Sequence, residues 1–370
     1  MYNQDKILFL TAYVPHKAAA GEKNTMIMIN DIASYYDVDL IYFKYNTESL
    51  YKPEKDNVHV VEAAKNSTFV KLKNFLCFPF VHPTFSIRFS WRLLRKIRKL
   101  VDEKKYKAII YNHSNMFLYA KFLKRDVPKL LLCHDVIIQR VSRSSNWIMQ
   151  KICKASEKYC LTTSNSFVFS FSQKDCDIIS NTYGLNAKLN LDYIDDSILS
   201  KSPTEIGDYY VLFGDWTRKE NLDGAMWFVN NVCPHIERRI VIKVIGRGFP
   251  NDIEQNNNNV KIEILGFVDD PYQIISNSRA LLSPLFQGAG IKVKVVESIA
   301  CGTPVIGTDI AFEGLPEKYS NMMLLANDAE SYVKAMSIEM PIEERIRIKH
   351  NFIADYNSET IPQFLLKYLE

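Results

Sequence analysis

Short apolar runs alternate with segments of helical periodicity along most of the chain. Nearly continuous apolar runs are typical of strands that a parallel sheet buries on both faces, and the segments between them fit covering helices. The predicted strands cover residues 6–12, 38–43, 58–61, 108–111, 130–134, 167–171, 209–213, 240–245, 260–264, 280–283, 305–307 and 323–325. The predicted helices cover residues 24–36, 86–101, 115–123, 145–161, 174–182, 223–232, 292–301, 329–337, 342–354 and 358–369.

This strand and helix rhythm runs twice, which predicts an α/β fold of two doubly wound, Rossmann-like domains facing a cleft. The polar segment 195–208 lacks periodicity and contains Pro203 and Gly207, so we place the domain boundary there. The expected domains are residues 1–205 and 206–356. Ligands of such sheets bind outside the carboxyl ends of the strands, where we therefore look for site residues.

The composition is that of a folded protein without a membrane span. Of the 370 residues, 47% are hydrophobic and 24% are charged, which excludes a disordered or collagen-like chain. No apolar stretch approaches the ~18–20 residues that cross a bilayer, and the first residues lack the pattern of a signal peptide. The seven cysteines form no Cys-x-x-Cys pair. We interpret them as buried free thiols and expect a cytoplasmic protein.

The distribution of charge is uneven. The net charge is only +4, but residues 1–205 contain 30 Lys and Arg against 20 Asp and Glu, whereas residues 206–370 contain 16 against 22. The excess comes from residues 65–107, which contain 12 Lys and Arg and two acids. A basic half joined to an acidic half indicates that one half meets an anionic surface.

Within this basic segment, the predicted helix 86–101 carries a basic stripe beside an aromatic residue: Arg88, Trp91, Arg92, Arg95 and Lys99. A basic, aromatic, amphipathic helix suits a peripheral contact with an anionic membrane. In the alternative interpretation, the helix packs its apolar face on its own sheet and its basic face is merely solvated. No nucleic-acid-binding module is recognisable, so nucleic acid is not an expected partner.

The segment 283–315 is the richest in candidate chemistry. A predicted strand ends at Ser283, a loop with Gly288 and Gly290 follows, and a helix is predicted over 292–301. Glycines before a helix N-terminus let backbone N–H groups approach an anion. Lys294 and Glu297 share one helix face, so a cation for a phosphate lies beside an acceptor for a ribose diol. The alternative is an ordinary turn whose Lys and Glu form a surface pair.

The segment GAGIKVKVVESIACGTPVIGTDIAFEGL strongly resembles the C-terminal-domain signature of GT-B glycosyltransferases of the retaining family 4 type, the glycosyl transferases of group 1. The segments VLFGDWTRKENLDGAMWFVNNVCP, VIKVIGRGFP and VKIEILGFVDDPYQIISNSRALLSPL resemble the other strands and helices of that domain. In the first half, ILFLTAYVPHKAAAGEKNTMIMINDIA, LLLCHDVI and FVFSFSQKDCDII resemble parts of the acceptor domain. The resemblance implies that residues 357–370 form a helix that packs back on the first domain.

The resemblance implies donor contacts along the loop and helix after residue 283. Glu297 matches the carboxylate that binds the donor's ribose. Gln287 stands where the family usually has a glutamate that contacts the donor sugar, so this sequence departs from the family there. Backbone N–H groups of Gly288, Gly290 and Ile291 would face the diphosphate.

A basic pair would neutralise the leaving diphosphate. The resemblance assigns this role to Arg218 and Lys294, while Lys219 or Lys292 could stand in. The arginine–lysine spacing of the family does not match cleanly after the first strand of this domain.

Further contacts are implied in other loops. Gly246, Phe267 and Val268 lie where the family contacts the nucleotide base. His134 would face the transferred sugar, and Gly21 would lie in a glycine loop near the diphosphate. A structural histidine and a plain turn are the respective alternatives.

The implied function is transfer of a sugar from a nucleotide-diphosphate sugar to a glycan or lipid-linked acceptor, with retention, in bacterial surface polysaccharide synthesis. The hexosyltransferase-type enzyme would need no metal or other cofactor, because protein cations and a helix dipole would take that role. Asp37-Val38-Asp39 looks like a metal motif, but successive strand side chains point to opposite faces. The alternatives are a nucleotide-sugar epimerase or phosphorylase on the same fold, or a donor-binding protein without catalysis.

Overall fold

The computed structural model of the chain describes residues 5–15, 20–45, 48–65, 67–123, 126–191, 194–253, 257–356 and 367–368. The chain divides into two units, Met1–Asp192 with Glu359–Glu370, and Tyr193–Ser358. Both units are Rossmann-like α/β domains built on a parallel sheet, as the apolar runs predict.

The first domain holds a seven-stranded sheet in the order β3-β2-β1-β4-β5-β6-β7, with every pairing parallel. Its strands are β1 Lys6–Thr11, β2 Asp37–Lys44, β3 Val58–Lys65, β4 Tyr106–Asn112, β5 Lys129–Cys133, β6 Ser166–Ser170 and β7 Lys188–Leu189. Its helices are α1 Ala20–Ile32, α2 Thr68–Cys77, α3 Pro83–Ser86, α4 Trp91–Glu103, α5 Phe117–Phe122, α6 Ile137–Ser144, α7 Trp147–Leu161 and α8 Gln173–Tyr183. The strand order reverses between β1 and β4, so a crevice for a ligand is expected beyond these two strands.

The second domain holds a six-stranded parallel sheet in the order β10-β9-β8-β11-β12-β13. Its strands are β8 Tyr209–Phe213, β9 Ile240–Ile245, β10 Val260–Gly266, β11 Leu281–Ser283, β12 Val305–Gly307 and β13 Met323–Leu325. Its helices are α9 Asp196–Leu199, α10 Lys219–Asn231, α11 Tyr272–Ser276, α12 Val293–Ala300, α13 Ala329–Met336 and α14 Ile342–Tyr356. Here the order reverses between β8 and β11.

Burial explains why the apolar runs form strands. Every residue of β5 is buried, and β2 is buried at all positions except its two ends. Helices cover both faces of such a sheet, so each strand carries apolar side chains in both directions. Each domain has its own buried cluster, with Leu94 and Ile97 of α4 in the first and Phe228 of α10 in the second.

The predicted helix 86–101 is two helices. The short helix α3 ends at Ser86, and α4 begins at Trp91 after an extended Ser90, whose side chain accepts a hydrogen bond from the Leu93 backbone N–H. A serine in this conformation is a favoured N-cap, so it starts a new helix. The continuous basic stripe predicted from Arg88 onward is therefore wrong at its first member, since Arg88 lies before α4.

The domain boundary falls between residues 192 and 193, earlier than the predicted 205/206. Residues 195–204 belong with the second domain because they pack on it. Ile198 of α9 is buried, and Lys349 of α14 donates to the Leu199 carbonyl at 3.0 Å. Thr204 donates its backbone N–H to Asn277 Oδ1 at 3.1 Å. A polar segment without periodicity can therefore be well anchored.

The predicted last helix lies outside the described residues except for residues 367–368. The Tyr368 ring lies 5.4 Å from that of Phe167 and 5.2 Å from that of Phe169, both on β6. Tyr368 thus packs on the sheet of the first domain.

Six of the seven cysteines are buried and all seven are free thiols. Cys77 is the exception to the predicted burial, because it ends α2 on an exposed face.

Candidate functional site

The loop between β11 and α12 positions several predicted donor contacts. Gly288 has a φ of +127°, and a Cβ there would lie 3.3 Å from Lys292 Cε. This left-handed conformation and close approach favour glycine. Lys292 precedes α12, and its Nζ donates to the Gly290 carbonyl at 2.6 Å. The Lys292 side chain therefore holds the loop as well as adding positive charge beside it.

Lys294 lies in the first turn of α12 and its side chain points toward the start of α10. Its Nζ lies 3.5 Å from Asn221 Oδ1. Burial, helped by the charges of Arg218 and Lys292, lowers the pKa of Lys294 to about 8. Arg218, Lys292 and Lys294 are thus close enough for their charges to interact, while their role as a basic pair stays a prediction.

Arg218 precedes α10 and remains largely exposed. Its Nε donates to Glu220 Oε1 at 2.9 Å. Lys219, the other proposed stand-in, instead pairs with Asp223 one turn along the helix at 2.6 Å. An exposed (i, i+4) pair of this kind contributes little, about 0.3–0.5 kcal/mol. Unlike Arg218 and Lys292, Lys219 is not among the charges that lower the pKa of Lys294.

Asp215, which sequence reasoning did not single out, joins the β8 and β9 loops. Its carboxylate accepts from Arg247 Nη2 at 3.0 Å and from Thr217 Oγ1 at 2.7 Å. Partial burial would raise the pKa of Asp215, but these hydrogen bonds outweigh it and hold the pKa below its usual value. Asp215 could have been found from the sequence, because it lies next to Gly214 just after a predicted strand.

Gly246 allows these loops to pack closely. Its φ is +124°, and a Cβ there would lie 1.8 Å from the Gly214 carbonyl oxygen, which no side chain could fit. Its N–H donates to the Gly266 carbonyl at 2.7 Å. This bond joins the β9 loop to the β10 loop, which carries an exposed Phe267 and a half-buried Val268. The three positions predicted to contact a base are therefore neighbours.

Glu297 is buried on α12, next to Tyr272 of α11. The hydroxyl of Tyr272 hydrogen-bonds the Glu297 carboxylate, and burial together with that carboxylate raises the pKa of Tyr272 well above its usual value. Gln287 is exposed and Ile291 is half-buried. The structure thus holds Glu297 firmly and leaves Gln287 open to solvent.

In the first domain, His134 directly follows β5. Its Nε2 lies 2.6 Å from Asn112 Oδ1, while the Asn112 amide nitrogen donates to Thr25 Oγ1 at 3.0 Å. Asn112 Oδ1 can only accept, so the neutral imidazole carries its proton on Nε2. Burial lowers the pKa of His134 to about 3, so the ring is neutral at neutral pH.

His113 stacks on His134 with ring centroids 4.0 Å apart. It follows β4 with a φ of +73°, which is uncommon for a residue other than glycine. Burial, followed by the effects of His134 and Arg88, holds the pKa of His113 well below its usual value. Sequence reasoning missed His113, although its position just after a predicted strand was a signal.

Gly21 lies in the first turn of α1, which begins at Ala20. Gly21 therefore lies in a helix N-terminus and not in a loop, because the helix starts earlier than its apolar pattern indicates. Its expected place near the diphosphate stays a prediction. Residues 16–19 lie outside the described residues.

The basic stripe is reduced to Arg92, Arg95 and Lys99 of α4, with an exposed Trp91 at its start. Arg92 pairs with Glu62 at 2.6 Å and Lys99 with Glu103 at 3.6 Å, so part of the charge is balanced. The expectation that Arg88 belongs to this exposed stripe is wrong. Arg88 is 5% exposed, and its guanidinium lies over the Tyr13 ring at 4.8 Å.

Asp37 and Asp39, the apparent metal motif, form ion pairs with lysine side chains. Asp37 pairs with Lys6 at 3.6 Å and Asp39 with Lys104 at 2.6 Å. Within the described ranges, no group of three His, Cys, Asp or Glu side chains could hold a metal ion. Nor does any helix of those ranges have the length and apolarity needed to cross a membrane.

Part of the second domain matches a known family model. Residues 208–338 match the family model described as Glycosyl transferases group 1. A Klebsiella pneumoniae protein named as an uncharacterized 44.6 kDa protein in the cps region is 21% identical over 358 residues, covering 89% of each chain.

Two solved structures share the fold over nearly the whole chain. WaaG, a glycosyltransferase involved in lipopolysaccharide biosynthesis, is 12% identical with a TM-score of 0.65, covering 98% of each chain. HepE of Anabaena, in complex with UDP and glucose, is 16% identical with a TM-score of 0.66, covering 99% of each chain. The two domains thus have the GT-B fold, and the family match supports a glycosyltransferase.

Proposed function

We propose that this chain is a GT-B glycosyltransferase of group 1 that moves a sugar from a nucleotide-diphosphate sugar to a glycan or lipid-linked acceptor. The observation that carries the proposal is the match of residues 208–338 to that family, in the domain whose loops assemble Arg218, Lys292 and Lys294. The UDP and glucose bound to HepE support a nucleotide sugar as the donor.

The cluster of Arg218, Lys292 and Lys294 suits a departing diphosphate. These cations lie near the N-terminal end of α12, where the helix dipole adds partial positive charge. Fixed charges aimed at a developing anion lower a reaction barrier without reorganisation. In our proposal this cluster stabilises the leaving group without a metal.

In our proposal, the buried Glu297 accepts hydrogen bonds from the donor's ribose. Its carboxylate is held by Tyr272, which limits how the side chain can turn. The exposed Gln287 would contact the transferred sugar in the place of the family's glutamate. His134 of the first domain would offer a neutral, hydrogen-bonding ring to a sugar. The anomeric configuration would be retained.

The reaction can be tested with the whole chain and a radiolabelled sugar donor. We first expect one or more nucleoside diphosphates from a panel to raise the unfolding temperature, since binding stabilises the folded state. A radiolabelled sugar donor that contains the stabilising nucleotide is then used. Its labelled sugar should pass to a glycan or lipid-linked acceptor from a bacterial envelope extract and keep its anomeric configuration. EDTA should not reduce the rate.

The alternatives give different products. An epimerase would convert the donor without acceptor, and a phosphorylase would need phosphate and an oligosaccharide. A binding protein would be stabilised by nucleoside diphosphate but would neither transfer nor hydrolyse the sugar. Each of these results would contradict the proposed transfer.

The acceptor is proposed to lie at an anionic membrane, on the cytoplasmic face. Besides Arg92, Arg95 and Lys99, the structure adds an exposed apolar face on α2 and the following loop: Phe69 (76%), Leu72 (58%), Leu76 (68%) and Phe80 (85%). Basic side chains attract anionic headgroups, and exposed apolar ones can enter the interface beside them. The role of WaaG in lipopolysaccharide synthesis and the cps region of the Klebsiella relative support a surface polysaccharide as the product.

Flotation with vesicles tests this surface. We expect binding to vesicles containing phosphatidylglycerol and weaker binding to phosphatidylcholine alone. Changing Phe69 and Leu72 to Ser, or Arg92 and Arg95 to Gln, should reduce binding, whereas Ile338→Ser, on an equally exposed apolar residue of the second domain, should not. Equal flotation of all variants, or none by the unchanged chain, would contradict the membrane proposal.

A further inference from the structure

Arg88 is a buried cation whose side chain is only partly satisfied. It lies between α3 and α4 and is 5% exposed. Its Nε is buried without a hydrogen-bond partner. With the Asn115 amide turned to suit both of its neighbours, the Asn115 oxygen accepts from Arg88 Nη1 at 2.6 Å, and the amide nitrogen donates to the Thr84 carbonyl.

Among the residues that the structure describes, Arg88 forms no ion pair with a carboxylate. A buried charge without a partner is costly, by several kcal/mol. The neighbouring His113 and His134 do not add charge, because burial keeps both rings neutral. The Arg88 environment therefore holds one positive charge that a bound anion would neutralise.

Arg88 belongs to a chain of ring contacts at the carboxyl ends of the strands. The guanidinium lies 4.8 Å from the Tyr13 ring centroid, the Tyr13 ring meets His113 edge-on at 5.1 Å, and His113 stacks on His134. Tyr13, His113 and His134 follow β1, β4 and β5, the strands at and beside the reversal of strand order. This is where open α/β sheets bind ligands.

Part of this group reaches solvent. Tyr13 is 38% exposed, and His113 and His134 are half-buried. A ligand at the exposed Tyr13 ring would lie near the Arg88 guanidinium, which is 4.8 Å from that ring's centroid. Arginine suits this task because its planar fork binds phosphate or carboxylate through two hydrogen bonds.

We propose that Arg88, with Tyr13 and His113, forms an anion site in the first domain that binds a phosphate or carboxylate group of the acceptor. That the anion belongs to the acceptor depends on the proposed transferase function. The anion site itself depends only on the geometry around Arg88. The same chemistry could come from the diphosphate of the donor, so the test separates the two sources.

The test uses the histidine signals of the whole chain in NMR, with inorganic phosphate and a hexose phosphate as probes. We expect both probes to shift the signals of His113 and His134, which His113→Gln and His134→Gln spectra assign. Arg88→Gln should raise the concentration needed for half of this shift at least tenfold, and Arg88→Lys should raise it less. Arg92→Gln removes the same charge from the exposed surface of α4 and should leave the titration unchanged.

A second arm identifies the source of the anion. Lys294→Ala should weaken binding of nucleoside diphosphate and leave the phosphate titration of His113 intact. Displacement of phosphate from His113 by nucleoside diphosphate in the unchanged chain would overturn the acceptor assignment in favour of the donor.

Three results would overturn the anion site itself: no shift of either histidine by phosphate in the unchanged chain, equal titration by Arg88→Gln, or a weaker titration by Arg92→Gln. If Arg88→Gln does not fold, the unchanged chain and Arg88→Lys still decide the outcome. None of these measurements needs sugar transfer. Intact anion binding without any transfer would therefore count against the proposed function and not against the site.

Discussion

Lys294 shows how one residue acquires a property from its neighbours. An ordinary lysine keeps its charge to a pH above 10. Here burial and the positive charges of Arg218 and Lys292 lower the pKa of the Lys294 ammonium to about 8. The same crowding of cations that disfavours the charged form in the free protein would be relieved by a bound diphosphate. Under the proposed function, a bound diphosphate would therefore raise the pKa of Lys294 again.

Replacing Lys294 by Ala should reduce kcat about 100-fold or more, the usual loss when one stabilising group of a transition state is removed. Lys219→Ala, which removes a nearby exposed cation paired with Asp223, should change kcat less than threefold. Rates of sugar transfer at saturating donor measure both. An unchanged kcat for Lys294→Ala would refute its role.

Binding of nucleoside diphosphate should also depend on pH through Lys294. Because the pKa of its side chain is about 8, the ammonium is mostly charged below pH 8 and progressively neutral above it. We expect the affinity to be constant below that value and to fall as the pH rises through it. In Lys294→Arg, whose charge persists, this fall should disappear; calorimetric titrations from pH 6.5 to 9.5 would measure it.

At the scale of elements, Glu157 joins three helices. It is a buried residue of α7 whose Oε1 accepts the Ile137 N–H at 2.7 Å and whose Oε2 accepts the Ile138 N–H at 3.0 Å. These are the first amides of α6, which has no side-chain cap of its own. Tyr183 at the end of α8 donates to Glu157 Oε2 at 2.6 Å. A carboxylate from one helix thus caps a second and holds a third.

Glu157→Ala should lower the free energy of unfolding by about 3 kcal/mol, because it leaves buried donors without partners at about 1–3 kcal/mol each. Tyr183→Phe keeps the cap and should cost only about 1 kcal/mol. Urea unfolding of the whole chain, followed by circular dichroism, would measure both. Equal stability of Glu157→Ala and the unchanged chain would show that the cap contributes nothing.

The pH dependence of Glu157 has a definite sign. Burial raises its pKa to about 7, although hydrogen bonds from Tyr183, Ile137 and Ile138 act in the opposite direction. A group whose pKa is higher in the folded state stabilises the fold at low pH and loses that contribution as the pH rises from about 4.5 to 7. We therefore expect the free energy of unfolding to decrease less between pH 5 and pH 7.5 in Glu157→Gln than in the unchanged chain. Urea unfolding at the two pH values would measure this difference.

At the scale of the whole molecule, the chain returns to its first domain at its end. Tyr368 packs on Phe167 and Phe169, which lie on β6. Residues separated by about 200 positions therefore share one cluster of rings. Contacts between rings at these distances add about 0.5–1.5 kcal/mol to the burial of their surface.

Tyr368→Ala should therefore destabilise the first domain by about 1–3 kcal/mol, through lost burial and ring contacts. We expect faster hydrogen exchange in peptides covering β5 and β6, and unchanged exchange in peptides covering β8 and β11, whose core is separate. Lys367→Ala at the neighbouring exposed position is the control. Equal exchange in Tyr368→Ala and the unchanged chain would contradict this role.

Local pattern was enough for the parts of this protein that depend on neighbours in sequence. Apolar runs predicted the buried strands, and the glycines and charges between residues 283 and 301 indicated the loop and helix that carry Lys294 and Glu297. These features were predictable because strand burial, turn conformation and helix faces follow from spacing along the chain.

Only the tertiary structure decided where distant side chains meet. Arg88 reads as part of a basic helix, yet Ser90 begins that helix and Arg88 turns inward to Tyr13. His113 gained its place from stacking on His134, which a different strand supplies. Glu157 looked like one charge of an ordinary helix, but its oxygens cap another. Such contacts join residues far apart in sequence, and only the packing of elements sets their distances and pKa values.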